Sequence, residues 1–127
     1  MEYLSPEDLL NIHSVVIDET GGTHGVRDQG ALLSLGALPQ QAVYGRELYI
    51  GIYAKAAVYI RSIIFNHPFI DGNKRSAMMS ADVFLQLNGY QISVPKGGVE
   101  EFALTIIRDR YGIEEIATWL KAHTVRI

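Results

Sequence analysis

Five side chains with chemistry to offer stand close together: His67, Asp71, Asn73, Lys74 and Arg75, in the stretch His67-Pro68-Phe69-Ile70-Asp71-Gly72-Asn73-Lys74-Arg75-Ser76. An imidazole titrates near neutrality, so His67 can take a proton from a hydroxyl at cellular pH. A carboxylate such as Asp71 is a hard oxygen ligand that suits Mg2+ bound together with phosphates. Lys74 and Arg75 add two positive charges, and Gly72 lets backbone approach a ligand with no Cβ in the way. A base, a metal carboxylate and an anion hole this close together point to transfer of a phosphate-containing group onto a hydroxyl.

These residues need two helices to hold them. Ile52, Ala56, Tyr59, Ile60 and Ile63 follow helical spacing before the stretch, and Ala77, Ala81, Phe84 and Leu85 follow it afterwards. The stretch therefore reads as a loop between two core helices, running into the first turn of the second. Pro68 disfavours helix at the residue before it, so the first helix is expected to stop near Asn66 or His67. Asp71 is expected to cap the second by accepting from amides two or three residues on. The first amides of that helix point outward, and its dipole favours an anion there. With Gly72, Lys74 and Arg75 beside them they form a phosphate cradle. Phe69 is expected to pack inward and fix the loop so that His67 faces out.

The rest of the chain reads as more helices. Ser5-Pro6-Glu7-Asp8 is a helix start, with Leu9, Ile12 and Val16 as its buried stripe and Gly21-Gly22 as its end. His13 lies near that stripe and reads as a packed or surface histidine. Gly21–Gly30 is a loop holding His24, Arg27 and Asp28, without the spacing of a dinucleotide fingerprint. Asp28 is expected to cap a second helix reaching Leu38. Val43-Tyr44-Gly45-Arg46-Glu47 carries a turn residue between an aromatic and charges, and by itself reads as a connector. Ile50–Asn66 is the central helix, with alanines 54, 56 and 57 permitting close packing. Asn73–Asn88 follows, then a short extended piece at Tyr90–Val94. A fifth helix is expected to end near Gly112, and a sixth begins at Ile113. The expected fold is all-α: a single domain over residues 1–127 with about six helices.

Composition narrows the function classes. The chain has 127 residues and 48% hydrophobic content, enough for one core. Its net charge of −3 supplies no general basic field, so direct nucleic-acid binding is not expected. There is no cysteine, which excludes disulfides and thiolate zinc sites. Met1–Pro6 lacks a charged region followed by an apolar run, and Lys55 and Arg61 interrupt the longest apolar stretch. No membrane partner is expected, and the cytoplasm is the expected location. P-loop, His-Glu-x-x-His and Gly-x-Ser-x-Gly signatures are absent.

The ten-residue stretch resembles the signature of the Fic/Doc superfamily. Its AMP-transferring Fic branch reads H-P-F-x-[DE]-G-N-G-R-x-x-R, matched here at His67, Pro68, Phe69, Asp71, Gly72, Asn73 and Arg75. Lys74 stands where that branch has Gly, and Met78 where it has the second Arg. Both departures resemble the death-on-curing (Doc) branch, approximately H-x-F-x-D-x-N-K-R-[TS], which Ser76 also fits. Length and helix order resemble Doc toxins over nearly the whole chain.

The resemblance carries expectations. Doc toxins move the γ-phosphate of ATP to a Thr of elongation factor Tu and so stop translation; Fic enzymes move AMP from ATP to a target hydroxyl. A Lys at position 74 adds bulk and a point charge where Gly would leave room for phosphates, and Met78 removes a fork for holding them. Both favour the γ-phosphate-inward placement and hence a kinase. In that reading His67 deprotonates the hydroxyl and Asp71 holds Mg2+. Gly72, Asn73 (through its amide group) and Ser76 contact phosphate, and Lys74 and Arg75 neutralise developing charge. The region of Tyr44, Gly45 and Arg46 resembles the flap that holds an extended target segment. No Glu has Ser or Thr four residues earlier, so the self-inhibitory motif of some Fic proteins is missing and a cognate antitoxin acting in trans is expected. AMP transfer remains the alternative enzyme. A non-catalytic module that has kept the fold is the alternative outside enzymes.

Overall fold

One helix is buried along an unbroken run from Lys55 through Ile60, and the rest of the chain is built around it. In the computed structural model, which describes residues 1–127, this helix is α3 (Ile52–Asn66). It packs against α4 (Asn73–Leu87) and α6 (Ile113–Ala122), while α1 (Pro6–Thr20) lies on α4. Ala56, Ala57, Ala77 and Ala81 are fully buried where α3 and α4 meet the core, and their small side chains let the backbones approach. Phe84, Leu85, Ile106, Ile116 and Leu120 fill the remaining space.

Local signals explain the element ends. Ser5 Oγ accepts from the Asp8 amide at 3.0 Å and Asp8 Oδ2 accepts from the Ser5 amide at 2.8 Å, a reciprocal capping box with Pro6 in the first turn. Asp28 Oδ1 accepts from the Ala31 amide at 3.0 Å and starts α2 (Gln29–Leu35). That helix ends three residues before the expected Leu38. Gly36 lies against Pro6, where a Cβ would come within 2.8 Å of the proline ring, and a separate 3-10 turn (Leu38–Gln40) carries Pro39. α5 (Gly98–Asp109) also stops early, because Arg110 turns left-handed and the Tyr111 amide folds back to the Ile106 carbonyl at 3.1 Å.

Two small antiparallel ribbons complete the molecule. β1 (Ala42–Val43) and β2 (Arg46–Glu47) form the flap hairpin before α3. Its two-residue turn, Tyr44-Gly45, has φ of 51° and 75°, the left-handed pair that matches the twist of a hairpin. β3 (Tyr90–Ile92) pairs with a strand the sequence did not suggest, β4 (Thr124–Arg126), in the register Tyr90↔Arg126. A three-residue strand has too few alternations to stand out as a pattern. The fold is all-α with six helices and these two ribbons. No helix is long and apolar enough to cross a membrane.

Candidate active site

The C-terminus of α3 delivers His67 and the N-terminus of α4 delivers the cradle. α3 stops at Asn66, and His67 takes the left-handed conformation (φ 48°, ψ 61°) as its cap, with its side chain exposed. Two carbonyls at this helix end find one partner: Arg27 donates from Nε to the His67 carbonyl and from Nη2 to the Asn66 carbonyl, both at 2.6 Å. Main chain reinforces the clasp. The Arg27 amide donates to the Pro68 carbonyl at 2.7 Å, and the Ile70 amide donates to the Gly25 carbonyl at 3.0 Å. The loop after α1 thus runs alongside the motif loop like a short strand, with a bridge from Val26 to Phe69.

Inside the loop, Phe69 is 1% exposed and lies flat on the His13 ring, centroids 3.9 Å apart. His13, itself buried, donates from Nε2 to the Asp71 carbonyl at 2.8 Å; burial, above all, lowers its pKa. It is a packed histidine, and it also fixes the chain at Asp71. Asn73 differs from its expected role. Its Oδ1 accepts from the Phe69 amide at 3.1 Å and its Nδ2 donates to the Phe69 carbonyl at 2.9 Å, so the buried amide group closes the loop and is not presented to a phosphate. Ser76 is a second correction. Its side chain is fully buried on the core side of α4, because three residues after Asn73 the helix has carried it to the same inward face.

Asp71 does not cap α4. Gly72 is the cap residue (φ 72°, ψ 22°), and no side chain bonds the helix start. A Cβ at Gly72 would meet Ile17 Cδ1 at 2.8 Å, so both the backbone angle and the space require glycine. Asp71 reaches sideways: Oδ2 accepts from the Thr23 amide at 3.1 Å and Oδ1 from the Gly72 amide at 2.8 Å. These two bonds, the Thr23 one first, hold its carboxyl below the usual range. The carboxylate is half-exposed, and each oxygen keeps a free lone pair. No cluster of three potential metal ligands exists. A lone carboxylate still suits Mg2+, which takes one or two carboxylates and completes its shell with phosphates and water.

The uncapped first turn of α4 leaves its leading amides free of side-chain partners, with Lys74 and Arg75 exposed beside them. Arg75 donates from Nη1 to the Thr20 hydroxyl and carbonyl at the end of α1, which aims its guanidinium across the gap between the helices. Met78 is buried, 4% exposed, and lines a groove of about 670 Å³. That groove starts at Lys74 and Arg75 and continues over Val16, Val99 and Leu104 toward α5. Tyr44, Gly45 and Arg46 are brought together on the flap, all exposed. The supporting residues Arg27, Thr23 and His13 had no signal of their own as parts of a site; only His13 stood on an apolar face.

The model of the Fic/DOC family matches residues 3–85. The chain is 42% identical over 92 residues to Toxin Doc of Mycolicibacterium smegmatis, covering 72% of this chain and 68% of that protein. It is 34% identical over 93 residues to Protein kinase doc of Escherichia phage P1, covering 72% of each.

Proposed function

The chain belongs to the Fic/DOC family, and from that premise we propose that it is the toxin of a toxin–antitoxin pair. It transfers the γ-phosphate of ATP to a Ser or Thr hydroxyl of a protein, with elongation factor Tu as the target the resemblance implies. The observation that carries this reading is the junction of α3 and α4: an exposed His67 caps one helix, and five residues later Gly72 opens another whose amides are uncapped and flanked in sequence by Asp71, Lys74 and Arg75. The name Protein kinase doc of one relative supports the choice of group.

The residues divide the work. The His67 imidazole removes the proton of the target hydroxyl. The hydroxyl oxygen then bonds to the γ-phosphorus, the bond from that phosphorus to the β–γ bridging oxygen breaks, and ADP departs. With the Gly72 amide already given to Asp71, the leading amides of α4 from Asn73 onward hold phosphate oxygens, and Lys74 and Arg75 neutralise charge that builds up between nucleophile and leaving group. Asp71 would hold Mg2+, which supplies charge neutralisation and orientation of the phosphates. Asn73, Phe69, Arg27 and His13 keep the loop in place. The flap around Tyr44, Gly45 and Arg46 offers main-chain groups to an extended target segment.

The single core running from Leu4 to Leu120 supports one domain over residues 1–127. The groove beside Lys74 and Arg75 supports inhibition in trans: its apolar floor with charged rims suits an antitoxin segment that folds on the toxin. Label transfer tests the proposal. Purified protein, Mg2+ and a bacterial cytosolic extract are incubated with ATP labelled at the α- or the γ-phosphate, with His67→Ala as control. Label arriving on a protein from γ-ATP alone supports the kinase. Label from α-ATP means AMP transfer and overturns the choice of group. Nucleotide binding with no labelled product means a non-catalytic module.

A further inference from the structure

A charged amine is buried in the core far from the reacting groups. Lys55 is 2% exposed, on the second turn of α3. Taking an ammonium out of water is costly unless partners replace the lost hydration. Nζ has two: it donates to Glu47 Oε1 and to the Pro39 carbonyl, each at 3.0 Å. The Tyr3 ring lies 5.7 Å away and adds a cation–π contact. The partners come from the chain just before the flap and from the flap itself. Pro39 is in the 3-10 turn that leads into the hairpin, and Glu47 is in β2.

The hairpin has little else to hold it. β1 and β2 pair only with each other, over two residues each, and every residue from Ala42 to Leu48 is exposed. A two-stranded ribbon this short is not stable by itself in water. Val43, Tyr44 and Leu48 hold apolar side chains in solvent, so burial does not fasten it either. The one strong attachment of β2 to the body is the ion pair from Glu47, 52% exposed, to a lysine whose amine has no other acid within reach.

We infer that Lys55 is the pin of the flap: its ammonium holds the hairpin on the same rigid helix that ends at His67, so that a target segment laid on the flap edge arrives in register with the base. Lys55 lies near the start of α3 and His67 caps its end, roughly 18 Å along the axis at 1.5 Å per residue. Lys55 is a positioning residue, and it does so through Glu47. The consequence for target binding rests on the proposed function; the pinning of the hairpin does not.

Two variants separate pin from filler. Lys55→Met keeps the buried stem and removes the charge; Glu47→Gln changes only the exposed partner and leaves the core intact should Lys55→Met fail to fold. Hydrogen exchange followed by mass spectrometry reads the amides of residues 41–48, among them the Leu48 amide bonded to Gln41. Exchange there is expected to quicken about tenfold or more, while residues 67–76 keep wild-type protection. With purified elongation factor Tu as acceptor, KM for the protein rises about tenfold. kcat and KM for ATP stay within about twofold of wild type, a split that general destabilisation does not produce. Unchanged exchange at 41–48 in either folded variant overturns the pin; faster exchange with KM for the acceptor unmoved overturns its consequence for target binding. A wild-type protein that labels no acceptor defeats the proposed function, and the exchange comparison, which needs no turnover, still decides the pin.

Discussion

His13 and Asp71 are joined by a 2.8 Å hydrogen bond from the imidazole Nε2 to the main-chain carbonyl, so the loop carrying the proposed metal ligand is tied to α1. The bond needs a proton on Nε2, and burial favours the neutral ring. The folded pKa of His13 is lowered, so the unfolded chain binds more protons in the window below its ordinary value of about 6.5. The stability this contributes is present above that value and is lost as pH falls through the folded one. Urea melts of wild type should therefore weaken with acidification from about pH 6.5 downward. In His13→Phe, which keeps the stack on Phe69, this part of the slope should vanish, and the orphaned carbonyl should cost about 1 kcal/mol at pH 7.5. Equal slopes in the two proteins would count against a buried neutral His13.

Asn73 closes the motif loop with both ends of its amide. Asn73→Ala leaves the buried Phe69 amide without an acceptor, and a loss of about 1–3 kcal/mol is expected in thermal melts. Asn73→Asp keeps the acceptor but sets a buried carboxylate oxygen against the Phe69 carbonyl, so at neutral pH it should be no more stable than Ala. Transfer activity should follow the same order. A fully stable Asn73→Ala with impaired transfer would return the side chain to direct phosphate contact.

His67 has an exposed side chain and a left-handed backbone. Removing the imidazole should leave the fold within about 0.5 kcal/mol of wild type while lowering transfer at least about 100-fold. The paired measurements are a melt and the γ-label assay. Retained turnover in a folded His67→Ala would eliminate it as the base.

Gly72 is constrained twice, by φ of 72° and by Ile17 Cδ1 lying 2.8 Å from where a Cβ would stand. Gly72→Ala should cost about 2–3 kcal/mol, about 1 of it from the backbone and the rest from the clash. Ile17→Val removes Cδ1. The double variant should recover the steric share and keep the backbone share, a coupling that a double-mutant cycle reads directly. Simple additivity would mean the contact relaxes at no cost.

Lys74 is exposed at the start of α4, and the groove beyond it is lined by a buried Met78 where a second arginine would stand in the Fic pattern. Lys74→Gly opens room at the helix start, and α-label transfer should rise relative to γ-label transfer. An unchanged product ratio would remove position 74 from the choice of group.

The motif was legible because its chemistry is contiguous. A histidine, a proline stop, a glycine and two cations in ten residues can be placed on a helix–loop–helix from spacing alone, and α3 and α4 lie where periodicity put them; the stretch that forms the flap hairpin read by itself as a connector, and only the family resemblance pointed to a flap. Local caps were legible for the same reason at Ser5 and Asp28, whose bonds reach three residues. Asp71 has the same type and defeated the same rule. Its acceptors are taken by Gly72 and by Thr23, a residue brought in from the loop after α1.

That contrast marks the boundary between chain and fold. Periodicity, turn chemistry and a contiguous motif act over a few residues, and they settled the helices, the all-α class and the family resemblance. The side chains that hold the machinery steady come from far along the chain: Arg27 on the end of α3, His13 under Asp71, Lys55 on the flap. Each satisfies a backbone group or a buried charge whose partner exists only after α1, α3 and the flap have packed together. A polar group left without a partner in the interior is costly, so tertiary packing chose these residues' roles, and no spacing in the linear chain could announce them.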